Sequence, residues 1–144
     1  MSYVRIWVHS VWGTKNRIPF LTNDNKLNLL NHIKENAKSK KIYIDFINGH
    51  KEHVHCIVSL NPDQAISKVM QLIKGESSNW LNNNEITKEK FEWSDEYFAV
   101  SISDSNINQV RDYIKNQDEH HKKKTWEEEY NEFIDKFGFR KMKG

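Results

Sequence analysis

The chain has 144 residues, 37% of them hydrophobic and 29% charged, which suits one domain with its own core and excludes wholesale disorder. Its 22 Lys and Arg against 20 Asp and Glu leave a formal net charge of +2, so any nucleic-acid binding must come from local patches rather than bulk charge. A single cysteine, Cys56, excludes an intramolecular disulfide framework and a multi-cysteine zinc site, and no apolar run approaches the roughly 20 residues of a membrane span.

Tyr3 to Trp12 is rich in β-branched and aromatic residues and predicts a strand, followed by a basic loop from Gly13 to Pro19. Asn23 or Asp24 is the expected cap of a helix in which Leu27, Leu30, Ile33 and Ala37 recur at helical spacing, ending in Lys38, Lys40 and Lys41. Two strands follow, Ile42 to Ile47 and His53 to Leu60, with Asn48-Gly49 as the hairpin signal between them. Pro62 suits a first helical position, and Ile66, Val69, Met70 and Ile73 form an amphipathic face, with Gly75 as the point where the helix is expected to weaken before Leu81. After a polar loop at Asn82 to Asn84, a fourth strand is placed at Tyr97 to Ile102.

Asn106 is the expected cap of a helix carrying Ile107, Val110 and Ile114. Thr125 and Glu128 form a capping box for a last helix with Trp126, Tyr130, Phe133, Ile134 and Phe137 in its apolar stripe and Gly138 at its end. The order is β-α-β-β-α-β plus helices, which predicts one α+β domain over residues 1–144. The expected architecture is a ferredoxin-like sandwich with an antiparallel sheet, the first and third strands central, and extra C-terminal helices. Arg5 and His9 interrupt the first apolar stretch, no signal-peptide pattern opens the chain, and a soluble cytoplasmic protein is expected.

His53 and His55 are two apart on the third strand, so both imidazoles leave the same face, roughly 7 Å apart, and Cys56 leaves the other. Such a pair can converge on a divalent ion; taken alone, it also fits two ordinary strand histidines. Tyr113 and Gln117, four apart on a predicted helix, can add a phenol nucleophile and an amide-oxygen ligand, although Tyr113 also suits simple packing beside Val110 and Ile114. His9, His32, His50, His120 and His121 are read as non-ligands, with a supporting role open for the last two.

Histidine-hydrophobe-histidine on a central strand, followed by Tyr-Ile-Lys-Asn-Gln on a later helix, resembles the single-tyrosine HUH transposases of bacterial insertion sequences and their REP-associated relatives. The likeness extends over VHSVWGTKNRIPF, EHVHCIVSL, VMQLIKGESS, YFAVSIS, VRDYIKNQDEHH and the tail KKTWEEEYNEFIDKFG. It implies His53 and His55 as metal ligands, Gln117 as the third and Tyr113 as the nucleophile that forms a 5′-phosphotyrosine. It also implies a homodimer, in which the tyrosine helix of one subunit can complete the site of the other, and a substrate of single-stranded DNA with hairpins at the element ends. Glu52 and Cys56 depart slightly from the family's usual Asp and aliphatic residue.

Mg²⁺ or Mn²⁺ is the expected ion: imidazole favours Mn²⁺, cellular supply Mg²⁺. Lys115 or Lys122 to Lys124 are candidates for lowering the Tyr113 pKa. Lys15, Arg17, Lys74, Ser77 and Ser78 are candidate phosphate contacts, and Trp7, Trp12 or Trp80 candidate stacking platforms for an unpaired base. The competing reading is a non-catalytic or domesticated module that binds hairpin DNA or RNA on a ferredoxin-like sheet; the paired aromatics of an RRM are absent from the central strands.

Overall fold

The computed structural model describes residues 2–137, with only the backbone of His120 and Phe137. It contains β1 (Trp7–Gly13), α1 (Asn23–Ser39), β2 (Tyr43–His50), β3 (His53–Ser59), α2 (Ile66–Asn83), β4 (Phe98–Ile102), α3 (Ile107–Lys115), α4 (Gln117–His121) and α5 (Trp126–Phe137). The strands form one antiparallel sheet in the order β2-β3-β1-β4, so β1 and β3 are central as expected. This is the ferredoxin-like α+β arrangement. No helix among the described residues is long and apolar enough to cross a membrane.

Side-chain alternation divides the sheet into two chemistries. Trp12 of β1 and Val54, Cys56 and Val58 of β3 face α1 and α2, where they join Leu29, Leu30, Ile33, Val69, Met70 and Ile73 in the main core. His53, His55 and Ile57 face the other side, where Ile57 meets Ile107 and Ile114 of α3. Cys56 is thus buried away from the histidines, and burial pushes its thiol pKa up.

Several boundaries differ from the expectation. β1 starts at Trp7, because Tyr3, Val4 and Ile6 are exposed and have no apolar face to bury. Thr22 caps α1, its hydroxyl accepting from the Asn25 amide, so Asn23 and Asp24 lie in the first turn. Asn48 and Gly49 stay within β2, and the hairpin turns at Lys51 and Glu52 instead. The Asn48 side chain donates to the Ile114 carbonyl at 2.9 Å, tying β2 to α3, and a Cβ on Gly49 would sit 2.8 Å from the His53 carbonyl oxygen. Pro62 belongs to a turn closed by Gln64 and Asn61, and α2 begins later at Ile66. That helix runs unbroken through Gly75, where an added Cβ would meet nothing within 4 Å.

The predicted tyrosine helix is interrupted. α3 ends at Lys115, the cap residue Asn116 leaves the helical conformation (φ −95°, ψ 29°), and Gln117 opens α4. The Thr125–Glu128 capping box forms, with the Glu128 amide donating to the Thr125 hydroxyl at 3.2 Å and the Thr125 amide to the Glu128 carboxylate at 3.3 Å. Gly138 and the FRKMKG tail lie outside the described residues, as do the side chains of Phe137 and His120.

Candidate metal and tyrosine site

The site lies on the face of β1 and β3 opposite the main core, under α3, α4 and α5. In register, His55 is opposite Val11 and His53 is opposite Gly13. The missing side chain at Gly13 is a spatial requirement: a Cβ there would come within 3.1 Å of Trp126 Nε1 and 3.2 Å of the Glu52 carbonyl oxygen. Trp126 uses that space to lie flat on His53, ring centroids 4.2 Å apart and 6° from parallel. His53, His55 and Gln117 are all fully buried.

His53 Nδ1 lies 3.1 Å from Glu52 Oε1, which as a carboxylate oxygen can only accept, so Nδ1 carries the proton and Nε2 turns its lone pair inward. There Nε2 meets Gln117 Oε1 at 3.1 Å. Gln117 spends its amide N–H on the Tyr113 carbonyl, 3.3 Å away, so its oxygen also points in. Tyr113 and Gln117 thus stand on separate helices, α3 and α4, rather than on one continuous helix as expected, yet the break at Asn116 leaves both in one site.

Glu129 of α5 is the residue the sequence reading missed. It is buried, its Oε1 accepts from Tyr113 Oη at 2.9 Å and lies 2.8 Å from His55 Nε2. Its Oε2 lies 2.8 Å from His121 Nε2 and 3.9 Å from His53 Nε2. His55 Nε2 and Glu129 Oε2 are both buried without an aligned hydrogen bond despite these short distances. Ligand atoms of His53, His55 and Glu129 all lie within 4.8 Å of one another. Inward lone pairs and unaligned buried polar atoms around one point are what a divalent cation satisfies, so the donor set fits a metal ion. The signal for Glu129 was its position: it falls inside the apolar stripe, three residues after Trp126 and four before Phe133.

Electrostatics sharpen the contrast between neighbours. Burial pushes His55 down to about 4, against the opposing pull of Glu129. His9, whose Nε2 is 3.0 Å from His55 Nδ1, is pushed down to about 3 by burial and by His55. His9 is therefore a partner of a site histidine, not a bystander. Burial alone would raise the Glu129 carboxyl, but His121 and His55 outweigh it and hold the group well below the usual carboxylate range. Burial and then Glu129 push the Tyr113 phenol above its ordinary value. No lysine lowers it, and two of the candidates are engaged elsewhere: Lys122 is paired with Glu119 at 2.9 Å and Lys124 with Glu132 at 2.6 Å.

The candidate DNA contacts fall into two neighbouring hollows. Lys15, Lys74 and Ser78 line a groove of about 730 Å³ between α2 and residues 92–97. Arg17 lines a second hollow of about 400 Å³ with Trp126 and Tyr130, and both hollows share Ser94 and Tyr97. Lys15 pairs with Glu92 at 3.1 Å, Lys74 donates to the Asp95 and Glu96 carbonyls, and Arg17 sits 3.5 Å from Glu127 and over the Tyr130 ring. Ser77 is not among the accessible residues: it is buried, donates to the Ile73 carbonyl at 2.7 Å and accepts from Trp93 Nε1 at 2.9 Å. Trp12 is likewise buried in the core and cannot stack on a base. Trp80 stacks on His32, centroids 4.2 Å apart, and Trp7 lies between Arg5 and Arg111.

A family model described as IS200-like transposase matches residues 2–117. The chain belongs to the IS200-like transposase family. Among solved structures, a presumptive transposase from Deinococcus radiodurans R1 superposes with a TM-score of 0.66 at 21% identity, covering 81% of this chain and 95% of that one. A REP-associated tyrosine transposase bound to a REP hairpin superposes with a TM-score of 0.64 at 18% identity, covering 84% of this chain and 72% of that one. Both share the fold of this family member. No curated protein matches its sequence. The family match ends at Gln117, so His121, Trp126 and Glu129 enter the site from outside it.

Proposed function

We propose that this transposase-family chain cleaves and rejoins single-stranded DNA at the ends of a mobile element, with Tyr113 as nucleophile and hairpins as the recognised feature. The observation that carries the reading is the meeting of Tyr113, Gln117, His53 and His55 in one buried site of an IS200-like transposase. The Tyr113 and His55 ring centroids are 5.6 Å apart within a single chain, so the reading places the tyrosine in cis. A homodimer that exchanges α3 would build the same constellation in trans. The hairpin carried by the REP-associated neighbour supports the substrate class.

His53, His55 and Gln117 would hold Mg²⁺ or Mn²⁺, which supplies Lewis-acid stabilisation of charge on the scissile phosphate. The chain's own groups do the rest. Glu129 Oε1 fixes the phenol by accepting its proton in a hydrogen bond and is an acceptor at hand when that proton leaves. The Tyr113 oxygen forms a bond to phosphorus as the bond from phosphorus to the 3′ oxygen breaks. The 3′ oxygen leaves and takes up the proton that Tyr113 has given up, so a free 3′-OH forms and the 5′ phosphate stays on the tyrosine. A second 3′-OH can reverse the step on a new strand, so no nucleotide cofactor is needed.

Lys15, Arg17, Lys74 and Ser78 would track the backbone along the two neighbouring hollows. Labelled hairpin oligonucleotide with Mn²⁺ gives the test. A covalent complex on a denaturing gel that disappears in Tyr113→Phe supports the enzyme. Tight binding with no covalent complex at any metal concentration supports the binding-module reading instead.

A further inference from the structure

We propose that His121, which lies beyond the residues the family model matches, is a direct ligand of the metal ion. The inference rests on the metal reading above and adds a donor to it. His121 Nδ1 lies 2.8 Å from the Lys124 carbonyl oxygen, an atom that can only accept, so Nδ1 carries the proton. Nε2 is then the atom that faces the site. It lies 3.1 Å from His53 Nε2 and 3.2 Å from Gln117 Oε1, while His53 Nε2 and Gln117 Oε1 are 3.1 Å from each other. Three donor atoms form a nearly equilateral triangle.

An octahedral ion with bonds of about 2.1 Å sets neighbouring ligands about 3.0 Å apart, and a tetrahedral ion sets them about 3.3 to 3.4 Å apart. The triangle has the edges of either polyhedron. Without a shared positive charge, two nitrogens and a carbonyl oxygen turned on one point are mutually repulsive. Each imidazole also has the outer-shell partner that metal-bound histidines use: Glu52 holds His53 and the Lys124 carbonyl holds His121. Glu129 Oε2, 2.8 Å from His121 Nε2, adds the anionic neighbour that makes a third imidazole compatible with a full dication. His121 is four residues after Gln117, one helical turn along α4, which is how both donors reach the same point. Trp126 on His53 and the stacking of His50 on His121, centroids 4.7 Å apart, fix both ring planes.

The test uses metal uptake by the full chain. Wild-type protein loaded with Co²⁺ is expected to give three hyperfine-shifted, exchangeable imidazole N–H proton resonances, for His53, His55 and His121. His121→Ala should lose one of them and bind Mn²⁺ at least 10-fold more weakly in calorimetry. Two shifted resonances in the wild type, or Mn²⁺ affinity unchanged in a folded His121→Ala, overturns His121 as a ligand and leaves the His53–His55–Gln117 reading standing. A wild-type protein that takes up neither Co²⁺ nor Mn²⁺ overturns both. The wild-type resonance count decides the matter even if the variant does not fold.

Discussion

Acid should unfold the metal-free protein steeply. His9 and His55 are packed against each other on the sheet face, neutral, at about 3 and about 4, whereas an unfolded histidine titrates near 6.5. As the pH falls below about 6.5 the unfolded chain takes up two protons that the folded chain refuses. The stability these groups allow is full above that point and is lost as the pH falls towards their folded values. Two protons correspond to a limiting slope of about 2.7 kcal/mol per pH unit, and incomplete protonation near pH 6 brings the loss between pH 6 and 4.5 to about 4 kcal/mol. That is a large share of the roughly 5 to 15 kcal/mol a domain possesses. His50, also lowered by burial, acts in the same direction. Glu129, held low, adds a further loss only below the ordinary carboxylate range. His121 is the exception: its pKa is raised, because Glu129 and the Lys124 carbonyl overcome the burial that opposes them, so its contribution is full below about 6.5 and fades as the pH rises. Urea midpoints with EDTA, followed by tryptophan fluorescence at half-unit steps from pH 4.5 to 7.5, should show stability greatest near neutrality and falling steeply on the acid side. His9→Phe should flatten the acid limb by roughly one proton, about 1.4 kcal/mol per pH unit. A midpoint flat between pH 6 and 4.5, or an unchanged slope in His9→Phe, would refute the buried neutral pair.

Three other outcomes follow from single side chains. Gly75→Ala, in mid-helix with open space around the new methyl, should stabilise by about 1 kcal/mol and raise Tm in thermal unfolding by about 3 °C. Ser77→Ala leaves the buried Trp93 N–H without its acceptor and should cost about 1 to 3 kcal/mol in denaturant unfolding, while hairpin affinity measured by anisotropy stays unchanged. His53→Ala should abolish strand cleavage yet keep hairpin affinity within a few-fold; loss of both together would make the histidine structural.

The order of the sheet was legible because composition and period agree: His53 to Ser59 alternates between two faces that are both buried, and Trp7 to Gly13 pairs beside it. The site was legible where one sequence segment carried the spacing, as in His53 with His55 and Tyr113 with Gln117. It was not legible where tertiary packing chose the partner. Nothing local to Glu129 says that it will meet His55 across the sheet, although its place among Trp126, Tyr130 and Phe133 marks it as inward-facing. His121 was read as a non-ligand with at most a supporting role, and only the break at Asn116 and the new turn from Gln117 aim it inward. Ser77 misled because the helix was expected to weaken at Gly75, whereas α2 continues through it and buries the hydroxyl under Trp93. The Asn48-Gly49 pair misled for a related reason: Asn48 spends its side chain on α3, so the strand continues and the turn forms two residues later.

The most direct check of the catalytic account is peptide mapping by tandem mass spectrometry after reaction with a hairpin-bearing single strand and Mn²⁺. The account predicts a nucleotide phosphate on the peptide containing Tyr113 and on no other, paired with a released fragment ending in a 3′-OH. A phosphorylated peptide elsewhere in the chain, or cleavage that persists in Tyr113→Phe, would contradict it.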